Sequence, residues 1–300
     1  MLPASVRVIV RDWLNANHVL ITGRSATVLV DSGYGRDAHE TLGLVSQALS
    51  GRRLDLLVNT HCHSDHMGGN AAIRRAHRCR ISIPRDEAPL IEAWDDRALW
   101  LSYADQRCER FDFDDTIAPG DELDWGELRW RAIAAPGHDM AALMFHCEQA
   151  GVLISGDALW ENGFGIVLPG EGCGERLAAA RATLETIAAL GVRAVIPGHG
   201  RPFGDVGAAL RRSLLRLDAF ERDEGRVVRH VLKVMFVFSL LDRRGLAEKD
   251  LDAYFDSVPL YEDFNRRFLG LDRASLVDLV VGDLERRGAV RRHDGFLAAA

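Results

Sequence analysis

Asn59-Thr60-His61-Cys62-His63-Ser64-Asp65-His66-Met67-Gly68-Gly69-Asn70 follows directly on Leu54–Val58, which reads as a short strand buried on both faces. Four side chains able to bind a metal, His61, His63, Asp65 and His66, fall within six residues. On an extended turn His61 and His63 can point to one side while Asp65 and His66 wrap to another. Neutral imidazole suits zinc, iron or manganese, and a carboxylate adds charge and can bridge two ions. The competing reading is a polar surface loop that happens to be rich in histidine. The position at the C-terminal end of an apolar strand argues for the metal site.

A cluster of four is too small for two metals with open positions, so further donors are expected elsewhere. Three occur in a shared context of strand, glycine and donor: His138 after Ala135-Pro136-Gly137, Asp157 after Val152–Gly156, and His199 after Ala194–Gly198. Each glycine lets the backbone turn sharply and approach closely. The pattern delivers side chains to one rim of a sheet stack.

Taken in order, Asp31 in LVDSG, THCHSDH, PGH at 138, SGD at 157 and PGH at 199 resemble the metallo-β-lactamase-fold hydrolases over roughly residues 5–205. The motif set is most similar to that of glyoxalase II. This resemblance implies a four-layer αβ/βα sandwich with a binuclear metal site along one edge. It also implies roles: His61, His63 and His138 on the first metal, Asp65, His66 and His199 on the second, and Asp157 bridging. Asp31 matches an acid that orients the ligands from behind. The bridging position is Asp, not Cys, unlike one β-lactamase branch. The loop has no Glu between the paired histidines and Asp65, unlike the oxygen-reducing branch. No Tyr lies beside Asp157, as a lactonase would have, and the glutathione-binding Lys and Tyr of glyoxalase II have no clear match.

Strand-like runs at Val6–Val10, His18–Thr22, Thr27–Val30, Arg80–Ile83, Leu128–Ile133, Ala141–His146, Val152–Ser155 and Ala194–Ile196 alternate with helical periodicity over Asp37–Ser50 and Glu175–Leu190. An α/β layered fold is expected over residues 1–205. Residues 85–115 read as an acidic helical insert, with Leu90, Ile91, Trp94, Leu99 and Trp100 on apolar faces. From 206 to 300 the chain reads as a second unit. It has an Arg-rich helix to about 224, an apolar helix over Val227–Leu241, two further helical stretches and a closing hairpin near 288–297. That layout resembles a winged-helix module appended to some of these hydrolases.

The chain has 300 residues, 47% hydrophobic and 27% charged, which permits a sizeable core. Its net charge is −7, and residues 85–125 alone carry thirteen acids against four arginines. A nucleic-acid partner is therefore disfavoured, because it wants a basic face. The C-terminal unit is near neutral, with 18 basic and 17 acidic residues over 201–300. No apolar run approaches the roughly 18 residues of a membrane helix, and MLPASVRVIV lacks a signal-peptide layout. The odd cysteine count of five reads as free thiols, so the cytoplasm is expected.

These features predict an enzyme loaded with two divalent ions, zinc first, iron or manganese as alternatives. Two such ions about 3.5–4 Å apart can hold a hydroxide between them and ionise it near neutral pH. That hydroxide would attack a small ester-like substrate, with Asp65 orienting it and carrying its proton. A thioester is the first expectation. A lactone or carboxylic ester, and a phosphodiester in RNA, are the alternatives, and a non-enzymatic metal-binding scaffold is a third class. Trp160, Phe164 and Arg201 are candidate pocket residues. The aromatics of the insert are expected to pack a small core of their own, the alternative being that some of them line an apolar pocket with Trp160 and Phe164. His18, His39, His77, His230 and His293 are read as surface residues and His146 as structural. The apolar residues Val234, Phe236, Phe238 and Leu241 supply surface for packing against the sandwich, for shaping the mouth of the active site or for a homodimer.

Overall fold

The computed structural model describes residues 2–300. Its first sheet contains β1 (Val6–Ile9), β2 (His18–Thr22), β3 (Thr27–Val30), β4 (Leu56–Val58), β5 (Arg80–Pro84) and β6 (Asp115–Ile117), hydrogen-bonded in that order. The first three strands run antiparallel and the last four parallel. The parallel steps are bridged by α1 (Ala38–Leu49), then by α2 (Ser64–Met67) with α3 (Asn70–His77), and last by a crossover that includes α4 (Ala88–Ala93). The second sheet has β7 (Glu122–Trp125), β8 (Leu128–Ala134), β9 (Leu143–Cys147), β10 (Val152–Gly156) and β11 (Ala194–Pro197), in the order β11-β10-β9-β8-β7. Between the last two strands lies α5 (Cys173–Ala189).

The period-2 alternation of strands decides the layers. Val19, Ile21, Val28 and Val30 face the second sheet, where they meet Trp130, Phe145 and Ile154. Their neighbours Leu20 and Leu29, with Leu57 and Ile81, face α1 and α3. On the other side, Met144, Leu153 and Val195 face α5 and α6 (Val206–Arg222). The result is helix, sheet, sheet, helix, an αβ/βα sandwich.

The apolar residues of α6, Leu210 and Leu217, belong to the core under the second sheet. A separate core begins with α7 (Glu224–Arg243) and includes α8 (Leu251–Ser257), α9 (Pro259–Phe264), α10 (Arg273–Val277) and α11 (Asp283–Arg286). It is closed by β12 (Leu246–Ala247), β13 (Val290–His293) and β14 (Phe296–Ala299), an antiparallel sheet in the order β12-β14-β13. No helix among the described residues is long and apolar enough to cross a membrane.

The segment 85–115 departs from its sequence-based expectation. It forms one six-residue helix, α4, entered through a 3-10 turn at Arg85–Glu87, and a second 3-10 turn at Ser102–Ala104, with irregular backbone over most of the rest. Trp94, Trp100 and Asp105 adopt left-handed φ of 51°, 60° and 56°, which ends any helix there. Its aromatics build no core of their own. Trp94 packs edge-on to Phe111 over the first sheet, and Tyr103 enters the C-terminal core. The strands β6 and β7 carry too short an alternation to register in the sequence.

Candidate metal centre

The loops after β4, β8, β10 and β11 converge at one edge of the sandwich. His63 is still extended (φ −86°, ψ 155°), so it points to the same side as His61. The chain then turns helical. His66 N and Met67 N both donate to His63 O, and this single turn swings Asp65 and His66 away. Two sets of donor atoms result: His61, His63 and His138 in one, and Asp65, His66, Asp157 and His199 in the other. Within each set the atoms lie within 4.8 Å of one another.

Asp157 lies between the two sets. Its Oδ2 is 3.6 Å from His138 Nε2, and its Oδ1 is 3.3 Å from His66 Nε2 and 3.9 Å from His199 Nε2. Trp160 Nε1 donates to the same Oδ1 at 3.1 Å. His63 Nδ1 and His138 Nε2 are 2.9 Å apart, and His199 Nε2 is 3.0 Å from Asp65 Oδ2.

For His61, His66 and His138, outer partners fix which nitrogen of the ring faces inwards. Asp31 Oδ2 holds His66 Nδ1 at 2.9 Å, Thr60 Oγ1 lies 3.1 Å from His61 Nδ1, and Ile166 O accepts from His138 Nδ1 at 2.5 Å. Asp31 is itself held by Thr60, whose N and Oγ1 donate to it at 2.8 and 2.9 Å. The inward Nε2 atoms of His61 and His66 are buried and make no hydrogen bond. Buried polar atoms are ordinarily satisfied. Two orphaned imidazole lone pairs beside two carboxylates therefore fit divalent cations.

The electrostatics agree. Burial, then the neighbouring imidazoles, holds His61 well below the ordinary histidine range. Burial, then His138, pushes His63 down to about 4. Burial opposes charge on His66 too, but Asp157, Asp31 and Asp65 outweigh it and raise it well above its usual value. Burial likewise works to raise Asp157, yet His66 and His199 hold it far down. The carboxylates thus favour a cation at His66, a position a metal ion can take by displacing the proton.

The centre opens into a cavity of about 390 Å³. Trp160 and Phe164 are on its wall. Arg201 is not: the chain turns at Gly200 (φ 87°) and the arginine side chain goes to solvent, which corrects its expected place in the pocket. His18 is another correction. It is fully buried, 3.1 Å from Arg11 Nη1, because the first loop folds back over β2. His230 lines the cavity and is also not a surface residue. Trp13, which no sequence pattern marks out, stacks flat on His199 with centroids 5.6 Å apart and turns an edge toward Trp160. Glu87 is equally unmarked in the sequence. It is buried under the ligand loop and accepts from Cys62 N at 3.2 Å. Burial, then Asp139, pushes Glu87 up to about 8.

Comparison with known proteins gives the same fold. The sequence profile of the metallo-beta-lactamase superfamily matches residues 11–199, more than half of the chain. A hydroxyacylglutathione hydrolase of Rhodopseudomonas palustris (strain BisA53) is 29% identical over 154 residues, 51% of this chain and 50% of that protein. The chain therefore spans about half the length of this relative. An acyl-coenzyme A thioesterase of Homo sapiens is 26% identical over 212 residues, 63% of this chain and 74% of that one. Among solved structures, a metallo-beta-lactamase family protein of Thermus thermophilus superposes with a TM-score of 0.59 at 21% identity, covering 99% of both chains.

Proposed function

The chain belongs to the metallo-beta-lactamase superfamily, and within that hydrolase family we propose that it is a binuclear metal-dependent thioester hydrolase. The observation that carries this reading is the donor cluster opening directly onto a largely apolar cavity, a place for an acyl group next to a site for activated water. Two relatives add support by name, one an acylglutathione hydrolase and one a thioesterase.

In this reading His61, His63 and His138 would hold one divalent ion and Asp65, His66 and His199 the second, with the Asp157 carboxylate lying between the two donor sets. Zinc is our first choice, because a thiolate leaving group suits a soft cation, with iron or manganese next. The ions would supply Lewis acidity and a water that ionises near neutral pH. The rest falls to the chain. Asp65 Oδ2 orients the attacking water and takes its proton. Trp160 fixes the Asp157 carboxylate through Oδ1. Asp31 acts as a positioning residue by holding His66 in one tautomer. Trp13 and Phe164 shield the reacting atoms from bulk water.

The wall nearest the donor set is apolar and the chain carries a net charge of −7, both of which count against RNA as substrate, while Lys233 and Arg287 are the cavity's cations. We read the C-terminal unit as winged-helix-like, supported by its helices and three-stranded sheet, with its boundary after α6 instead of near 205. We place the enzyme in a reducing cytoplasm, a reading favoured by its five free cysteines.

The test is thiol release from glutathione and coenzyme A thioesters by zinc-reconstituted protein, with Asp157→Ala as the blank. We expect turnover that the blank lacks. Silence across the panel with two metals bound per chain would remove the thioesterase reading.

A further inference from the structure

We propose that the acyl group this site accepts is a non-polar aliphatic chain lying along α7, with Val234, Phe238 and Leu241 setting the length it can take; this rests on the thioesterase reading above. Those three residues recur one turn apart on one face of the helix. All three are only half-buried and line the cavity, whereas Val231, Leu232, Phe236 and Leu240 on the other face are sealed in the C-terminal core. The stripe is thus apolar surface that the protein's own packing leaves unfilled.

The stripe begins at the metal centre. The Phe238 ring meets His199 edge-on with centroids 6.5 Å apart. Leu99, Trp100, Phe164 and Ile166 face the same cavity from the sandwich side. Toward the N-terminus of α7 the stripe turns polar at Lys233 and His230. Lys233 Nζ is 2.5 Å from Asp283 Oδ2, which Arg287 Nε also reaches at 3.0 Å. At 1.5 Å per residue, Lys233 lies about 7.5 Å and His230 about 12 Å along the helix from Phe238. An apolar channel with a polar stop follows.

Beside the donor set, Ser64 Oγ spends its one proton on Gln106 Oε1 at 2.9 Å, so it can accept from a hydroxyl but not donate to one. A hydroxyl carried farther along α7 would be buried without a partner, which is costly. Methylene groups gain there instead. Burying one is worth about fourfold in affinity, so length should be rewarded until the stop is reached.

The experiment uses the zinc-loaded full chain and two straight-chain series. One is coenzyme A thioesters from two to sixteen carbons, read by thiol release. The other is the free alkanoates, read as binding through the fluorescence of the wall tryptophans. We expect kcat/KM and alkanoate affinity to climb together, by about fourfold per methylene, to a common limit. Phe238→Trp and Val234→Phe should move that limit to shorter chains, and Phe238→Ala to longer ones. Affinity that is flat with chain length, a preference for 2-hydroxyacyl over alkyl groups, or a limit that none of the three variants moves would overturn the proposal. Graded alkanoate binding without thiol release from any thioester would keep the channel and remove the thioesterase reading. Thiol release indifferent to chain length would do the reverse.

Discussion

Asp31 adopts a left-handed backbone (φ 61°), a conformation that Asp tolerates better than most residues but at a cost of about 1–3 kcal/mol. Its carboxylate takes three bonds in return, two from Thr60 and one with His66. The acid is visible in LVDSG; the turn that aims it is not. His18 shows the limit more sharply, since nothing local to it signals complete burial. Burial, then Arg11, pushes it down to about 3. An unfolded histidine titrates near 6.5. Between these values the unfolded chain binds a proton that the folded chain refuses. Stability is therefore full above about pH 6.5 and falls as the pH drops toward 3, by on the order of a few kcal/mol. His18→Gln keeps an acceptor for Arg11 and removes the titration. Its urea midpoints at pH 7 and pH 4 should lie closer together than those of the wild type. An unchanged gap would show that His18 charges without unfolding the protein.

Elements bring the donors in on the turns that end strands. The sequence of strand, glycine and donor was legible three times, because each unit is local and short. At the end of β11 the reason for the glycine is closeness. A Cβ on Gly198 would fall inside contact distance of Asp157 Oδ1 and press on the His66 ring. Gly198→Ala should therefore displace the carboxylate between the two donor sets. We expect metal affinity at least tenfold weaker, the size of effect seen when the support of a metal ligand is disturbed. Metal titration by calorimetry would measure it, with circular dichroism to confirm the fold. Undiminished affinity would mean that the loop yields without moving Asp157. Helices were less legible where the backbone intervened. The apolar residues of 85–105 suit a helix, yet three left-handed residues break it and leave Leu99 and Trp100 free to face the cavity.

Across the whole molecule, α7 is the element that joins the C-terminal unit to the chemistry. Near its end Asp242 is buried beside Tyr34 and flanked by Arg107 and Arg36 of the sandwich. Tyr34 OH accepts from Arg107 N at 3.0 Å and donates to Asp242 Oδ2 at 3.4 Å. Burial, then Asp242, raises that phenol, so it stays a donor. Tyr34→Phe would leave a buried carboxylate oxygen and a backbone N–H short of a partner. The expected loss is about 1–3 kcal/mol in urea denaturation. It should come with weaker discrimination between long and short acyl chains, because Leu241 adjoins Asp242. Full stability with intact discrimination would show that the two units are held together elsewhere.

The sequence by itself determined the layered α/β fold and singled out the candidate donors. Both rest on short-range signals: period-2 alternation in the strands, a histidine-rich turn directly after a buried strand, and a glycine before a histidine or aspartate at three other strand ends. Tertiary structure alone decided that Arg201 leaves the pocket, that His18 is buried, that Trp13 covers His199, and which face of α7 lines the cavity. The physical reason is that burial and adjacency are properties of distant pairs. Val234, Phe238 and Leu241 carry the same apolar code as Val231, Phe236 and Leu240. Only the packing shows which stripe is filled by the protein itself and which is left open beside the metal centre.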